Sequence, residues 1–223
     1  MTLLYFVRHG RTEWNLEGRF QGSQADSPLL PSTLEDLKNL SEHLSAVPFD
    51  HIFSSDLPRA AKTAEAILEK QAQPTELTLT PELREWQLGK LEGTKVSLMQ
   101  SLYPKQHHAF RHNLAKFNPR LFEAESVFMA TQRMGDFVKA QKELNAKHLL
   151  FVSHGAISTA SIRSLLGYNT AELRKAGGLS NSSVTILETE DFENFKLLLW
   201  NDTSFLPSNQ DTTISSSSYK SSH

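Results

Sequence analysis

Two histidines of this chain stand in the same local setting: an apolar run, the imidazole, then a glycine. One is His9, in Arg8-His9-Gly10 after Leu3 to Val7; the other is His154, in Ser153-His154-Gly155 after His148 to Val152. If both runs are strands of one parallel sheet, both imidazoles arrive at the sheet edge where α/β folds collect ligands. Arg8 lies beside the first, and Arg59 follows Ser54-Ser55-Asp56 at the start of an alanine-rich stretch. Two guanidiniums and two imidazoles suit a phosphoryl group, because the arginine fork matches pairs of phosphate oxygens. Nearby cations also disfavour a further positive charge, so an imidazole among them stays neutral and nucleophilic. The imidazole of His9 can then attack phosphorus in line and form a phosphohistidine, dividing one hard hydrolysis into two easier steps. Positioning and charge stabilisation carry most of the remaining rate. A leaving alkoxide needs a proton, and the candidate donor is Glu85 in Leu83-Arg84-Glu85-Trp86, beside an aromatic that favours the protonated acid. Asn15 and Gln21-Gly22 add neutral donors for phosphate oxygens or substrate.

Each of these residues has a plainer account when taken singly. A histidine at a strand end is more often a hydrogen-bonded structural residue. Arg59 suits a helix-face cation, Glu85 a solvated loop carboxylate, and Asn15 a turn or cap. The functional reading rests on their joint arrival at the ends of elements.

Those elements follow from periodicity. Leu3 to Val7 reads as a buried strand, with Gly10 allowing a tight turn after it. Leucines at 34, 37, 40 and 44 predict a helix over Thr33 to Ala46, stopped by Pro48. His51 to Phe53 predicts a second strand, and Ser54-Ser55-Asp56 supplies caps for a helix running to about Glu69. Its apolar stripe is Ala60, Ala64, Ile67 and Leu68. A third strand is expected over Leu77 to Leu79, and a loop over Glu82 to Gly93. Ser126 caps a helix bearing Val127, Met134, Phe137 and Val138. His148 to Val152 forms the fourth strand, followed by a helix ending near Gly167. Val184 to Leu187 and Phe195 to Trp200 predict a terminal hairpin around Glu190-Asp191. Alternating strands and helices predict a three-layer α/β/α sandwich around a mostly parallel mixed sheet. One such domain spans residues 1–206, and the Ser/Thr-rich stretch 207–223 is expected to be disordered.

Composition narrows the function class. The formal charge is −2, with 23 basic against 25 acidic residues, so neither nucleic acid nor a membrane surface is an expected partner. An anion site must therefore be local. There are no cysteines, which excludes disulfides, thiolate nucleophiles and cysteine-ligated metals and favours the cytoplasm. Met1 to Val7 is too short for a signal core or a membrane span.

Arg8-His9-Gly10-Arg11-Thr12-Glu13-Trp14-Asn15 resembles the Arg-His-Gly-x-Thr-x-x-Asn signature of the histidine phosphatase superfamily, in its phosphoglycerate mutase-like branch. Gln21-Gly22, Ser54-Ser55-Asp56-Leu57-Pro58-Arg59-Ala60, Leu83-Arg84-Glu85 with Leu91-Glu92-Gly93, and Ser153-His154-Gly155 resemble further family motifs in family order. Ser180-Asn181-Ser182-Ser183 resembles a late segment before the last strands. The resemblance implies that His9 is the phosphorylated nucleophile and Glu85 the proton donor and acceptor. It implies a phosphate pocket of Arg8, Asn15, Arg59 and His154, substrate contacts from Gln21 and Gly22, and no metal or other cofactor. The sequence departs from the family at Pro28-Leu29-Leu30-Pro31 and at Ala124-Glu125-Ser126, both on the substrate rim.

Residues 94–125 stand where the family carries a variable helical cap over the pocket. Tyr103, Phe110, Phe117 and Phe122 alternate there with Lys95, Lys105, Arg111, Lys116 and Arg120. One reading is a lid for acidic or multiply phosphorylated substrates; the favoured one is inward-packed aromatics with solvated cations. His107, His108 and His112 lack supporting carboxylates and read as a surface cluster rather than a metal site. The leading expectation is a phosphatase of a small phosphorylated metabolite. The rival is a phosphoglycerate mutase, which usually carries a longer insert, and behind both stands a non-catalytic phospholigand-binding protein.

Overall fold

The computed structural model describes residues 1–207; apart from Pro207, the tail expected to be disordered over 207–223 lies outside the described residues. Six strands form one sheet: β1 (Thr2–Arg8), β2 (His51–Ser55), β3 (Glu76–Thr80), β4 (His148–Ser153), β5 (Val184–Thr189) and β6 (Phe195–Asp202). Their order is β3-β2-β4-β1-β5-β6. The first four in that order run parallel, and β5 and β6 are antiparallel additions. β1 and β4 lie inside the sheet with helices on both faces, which is why they are apolar almost throughout.

Among the described residues seven α-helices accompany the sheet: α1 (Glu13–Glu17), α2 (Thr33–Leu44), α3 (Pro58–Leu68), α4 (Val96–Leu102), α5 (Pro104–His112), α6 (Val127–Ala140) and α7 (Gly155–Leu165). The pleat sends alternate residues of β1 to opposite sides. Tyr5 and Val7 meet Leu37, Leu40 and Leu44 of α2 and Ala60, Ala64 and Ile67 of α3. Leu4 and Phe6 meet the other core, with Met134 and Val138 of α6 and Ile157 and Ala160 of α7. Phe151 of β4 stacks between Phe6 and Phe53 at 5.1 and 5.5 Å. Burying each such ring contributes on the order of 1.5–3 kcal/mol. The expected layered α/β architecture is therefore present.

Local differences from the expectations have identifiable causes. Leu34 points to solvent, and α2 ends at Leu44 before the chain reaches Pro48. Ser54, Ser55 and Asp56 do not cap α3: β2 continues through Ser55, and the cap is Leu57 in an extended conformation. Pro58 occupies the first helical position, where its missing N–H costs nothing. Gly10 does not adopt a positive φ. It is required by close approach, since a Cβ there would fall 2.3 Å from Thr33 Cγ2. The stretch of mixed character after Thr94 resolves into α4, α5 and two 3-10 turns. Its rings Phe110, Phe117 and Phe122 are buried, Tyr103 is exposed, and its five cations face solvent. His108 and His112 lie 4.9 Å apart on the surface of α5. Among the described residues, no helix is long and apolar enough to cross a membrane.

Candidate active site

The register of β1 against β4 pairs Arg8 with Ser153, so the residues that follow emerge side by side at the carboxyl ends of adjacent strands. His9 and His154 face each other with ring centroids 5.0 Å apart, and both are almost fully buried (3 % and 0 % exposed). His9 Nδ1 lies 2.7 Å from Gly10 O. A carbonyl only accepts, so Nδ1 carries the hydrogen and the lone pair of a neutral ring sits on Nε2. Burial, then the charges of Arg59 and Arg8, hold the His9 pKa well below its ordinary value. The ring is therefore neutral at physiological pH and presents an unprotonated Nε2.

His154 is tied differently. Arg59 Nε donates to its Nδ1 at 3.2 Å, which forces the hydrogen onto Nε2, and Nε2–H donates to Ser55 Oγ at 2.8 Å. Burial and the Arg59 charge hold this ring neutral as well. Both of its nitrogens are engaged by protein, so His154 acts here as a wall of the pocket and a brace for Arg59. Arg59 Nη1 donates to Ala25 O (2.9 Å) and Asp26 Oδ1 (2.6 Å), and Nη2 to Gly22 O (3.0 Å). Four of its five N–H groups are thus committed to protein, leaving one on Nη2.

Arg8 Nη1 donates to Leu179 O at 2.6 Å, while its Nε is enclosed without a partner. Burial lowers its pKa to about 10 against the raising effect of Glu85. A Cβ on Gly155 would stand 2.9 Å from Arg8 Nε, so this glycine makes room for the guanidinium.

Glu85 is buried at the N-terminus of α7. Its Oε1 accepts from Trp86 N and Ile157 N, both at 2.8 Å, and its Oε2 from Ala156 N at 2.9 Å. Unpaired first-turn amides and the helix dipole make this a natural carboxylate seat. The expected aromatic influence is not what surrounds it: Trp86 turns its indole Nε1 to Glu125 O at 2.8 Å. The loop carrying Glu85 is pinned from three sides. Ser153 Oγ donates to Leu83 O, Arg84 forms a two-pronged bond to Asp56, and Arg133 donates to Glu82 O at 2.7 Å and Arg84 O at 3.1 Å.

Asn15 is the third residue of α1 and shares a capping box with Thr12, its Oδ1 accepting from Thr12 N (3.1 Å) and from Asn181 Nδ2 (3.2 Å). With the Gln21 amide nitrogen towards Thr12 Oγ1, its oxygen accepts from Ser27 N at 2.7 Å, so this side chain serves the loop. Gly22 lies where a Cβ would collide with Glu92, whose carboxylate ties Gln24 N to Leu88 N.

The structure thus gathers Arg8, His9, Arg59 and His154 into one pocket. Glu85 is close enough for its charge to act on both Arg8 and Arg59. Four contributors were not foreseen as site residues: Asp26, Ser55, Arg133 and Asn181, the last donating to His9 O at 3.0 Å. Asn181 and Ser55 carried a signal, within the segments Ser180 to Ser183 and Ser54 to Ala60; Asp26 and Arg133 carried none.

Comparison with known proteins adds the following. A family model described as the histidine phosphatase superfamily, branch 1, matches residues 4–203. The "Probable phosphoglycerate mutase GpmB" of Proteus mirabilis is 34% identical over 170 residues, 75% of this chain and 76% of that protein. "Phosphoglycerate mutase-like protein 4" of Arabidopsis thaliana is 30% identical over 209 residues, 90% of this chain and 85% of that one. Among solved structures, Bacillus stearothermophilus YhfR superposes with a TM-score of 0.83 at 28% identity, covering 92% of this chain and 99% of its own. A mycobacterial glucosyl-3-phosphoglycerate phosphatase in complex with VO3 gives 0.80 at 27% identity, covering 90% and 99%.

Proposed function

This chain belongs to the histidine phosphatase superfamily, and we propose that within it the chain is a phosphatase of small phosphomonoesters working through a phosphohistidine on His9. The observation that carries the reading is the state of His9: Nδ1–H anchored on Gly10 O, the ring kept neutral by burial and two arginines, and Nε2 left as the lone pair. Arg8 and the free N–H of Arg59 receive the non-bridging phosphoryl oxygens, with Asn15 Nδ2 beside them. His9 Nε2 attacks phosphorus as the ester P–O bond breaks, and protonated Glu85 gives its hydrogen to the departing alkoxide. A water then loses a proton to the Glu85 carboxylate and its oxygen attacks phosphorus. The P–N bond breaks, inorganic phosphate leaves, and both His9 and Glu85 return to their starting states. Oε2, which has a single amide donor, is the oxygen placed to exchange the proton. His154 and Asp26 hold Arg59 in position.

One solved relative supports hydrolysis by analogy: it is named as a phosphatase and was crystallised with VO3, a phosphate mimic. A mutase reading is favoured by the names of the sequence relatives. The two separate on one measurement. A phosphatase releases inorganic phosphate from phosphomonoesters, whereas a mutase isomerises 3-phosphoglycerate without net release. For the nucleophile, His9→Ala is expected to abolish p-nitrophenyl phosphate turnover and the acid-labile, alkali-stable phosphoprotein trapped by an alkaline detergent quench. Full turnover in that variant would remove His9 from the mechanism. The cysteine-free composition and a small charged substrate fit a cytoplasmic enzyme.

A further inference from the structure

Arg8 is a guanidinium with an enclosed, partnerless Nε and one Nη1 bond to a carbonyl. Arg174 repeats that pattern. It is 8 % exposed, its Nε is enclosed without a partner, and its Nη1 donates to Phe110 O at 2.9 Å. Its Cζ stands 4.5 Å over the Phe110 ring, and burial lowers its pKa to about 10, as for Arg8. Among the described residues no carboxylate forms an ion pair with it. A buried cation without an ion-pair partner is unfavourable in the empty fold and favourable to an arriving anion.

Its position ties it to the pocket from two directions. The segment 168–178 that carries it leads to Leu179, whose carbonyl accepts from Arg8. Arg163 fixes that segment by donating to Leu173 O at 3.1 Å and Gly177 O at 3.3 Å. On the other side, Phe110 packs edge-on against Trp86 at 5.8 Å, one residue from Glu85. The charges of Glu85 and Arg8 both act on Arg174, and that of Arg111, exposed on α5, acts on Arg8 and Arg174 alike.

We propose that Arg174, seconded by Arg111, receives a second anionic group of the substrate, a carboxylate or a second phosphate. The preferred substrates are then phosphomonoesters whose small carbon skeleton carries another acid. The inference rests on the phosphatase reading, because Arg8 and Arg174 share one substrate in it. A purely structural Arg174, clamping α5 to the 168–178 segment, accounts for the carbonyl bond and the ring contact. It leaves the enclosed Nε and the missing ion-pair partner without a cause.

The test compares kcat/KM for glycerol 3-phosphate, 3-phosphoglycerate and propane-1,3-diol bisphosphate in the wild type, Arg174→Gln, Arg174→Lys and Arg111→Gln. A charge-assisted bond of ordinary strength predicts that Arg174→Gln lowers the acid-to-neutral substrate ratio about 10- to 150-fold. Arg174→Lys restores part of it, and Arg111→Gln lowers it less. The acid substrate with the larger loss identifies the group bound. An unaltered ratio in folded Arg174→Gln overturns the proposal. If that variant melts below the assay temperature, the ratio in Arg111→Gln decides. Competition of the same compounds against bound inorganic phosphate reads the ratio without turnover. Phosphate release by the wild type with no change of ratio sinks the second site alone. Selective binding without release sinks the phosphatase reading alone.

Discussion

The glycine that opens α7 offers a direct test of how the phosphoryl group is held. In Gly155→Ala the new Cβ would lie 2.9, 3.0 and 3.3 Å from Nε, Cζ and Nη1 of Arg8, whereas ordinary contact begins near 3.4 Å. Arg8 must retreat by roughly half an ångström, and its Nη1 is already anchored at 2.6 Å to Leu179 O. A misplacement of this size costs on the order of tenfold in rate, given that a full ångström costs about a hundredfold. Stability is expected to change little. Gly155 has no positive φ, and alanine favours a helix over glycine by up to about 1 kcal/mol, which offsets an overpacking cost of about 1–3 kcal/mol. The assay is p-nitrophenyl phosphate turnover alongside a circular-dichroism melt. The expected result is a near-native Tm with kcat/KM lowered about ten- to a hundredfold. Wild-type kcat/KM in a folded Gly155→Ala protein would refute the assignment of Arg8 to the phosphoryl oxygens.

Two further predictions concern the frame around the site. His9 and His154 have lowered folded-state pKa values, so below about pH 6.5 the unfolded chain binds protons that the native chain does not. Stability should be level above pH 7 and fall with acidification, by at most about 1.4 kcal/mol per pH unit for each histidine. His51, His107 and His112 add in the same direction; urea midpoints that stay constant from pH 7.5 to 5 would contradict buried neutral imidazoles. Arg133→Met removes the donor shared by Glu82 O and Arg84 O and the partly buried partner of Glu125, so a loss of about 1–3 kcal/mol is expected from chemical denaturation. In the fraction that stays folded kcat should fall more than KM rises, because the proton carrier loses its position while the arginines keep theirs; an unchanged kcat would show that Glu85 is placed by α7 alone.

What could be read from the chain and what could not divide along a physical line. His9, Arg8 and His154 were legible because a buried strand followed by glycine is a local pattern, and sheet geometry brings such ends together. Arg59 was legible as a cation at a helix start and Glu85 as a loop carboxylate beside an aromatic, but their settings were not. The amides that hold Glu85 come from Ala156 and Ile157, 71 and 72 residues away. The carboxylate that holds Arg59 comes from Asp26, 33 residues earlier in an irregular loop with no period to betray it. Ser55 looked like a helix cap because its type favours caps. Only the pairing of β2 with β3 and β4 shows that it belongs to a strand and braces His154. Arg174 and Arg133 gave no signal at all, since a cation in a helix or loop is ordinarily solvated.

The bond from Asn181 to His9 O spans 172 residues, and that separation governs when the enzyme can come into being. At about 5–20 residues per second of synthesis, roughly 10–35 s pass between the emergence of His9 and that of Asn181. For most of that interval β1 waits without either of its sheet neighbours, β4 and β5. A nascent chain stalled before residue 148 carries His9 at the end of an unpaired apolar strand. Its open strand edges favour aggregation, which makes it a natural client for chaperones until the last third of the chain arrives.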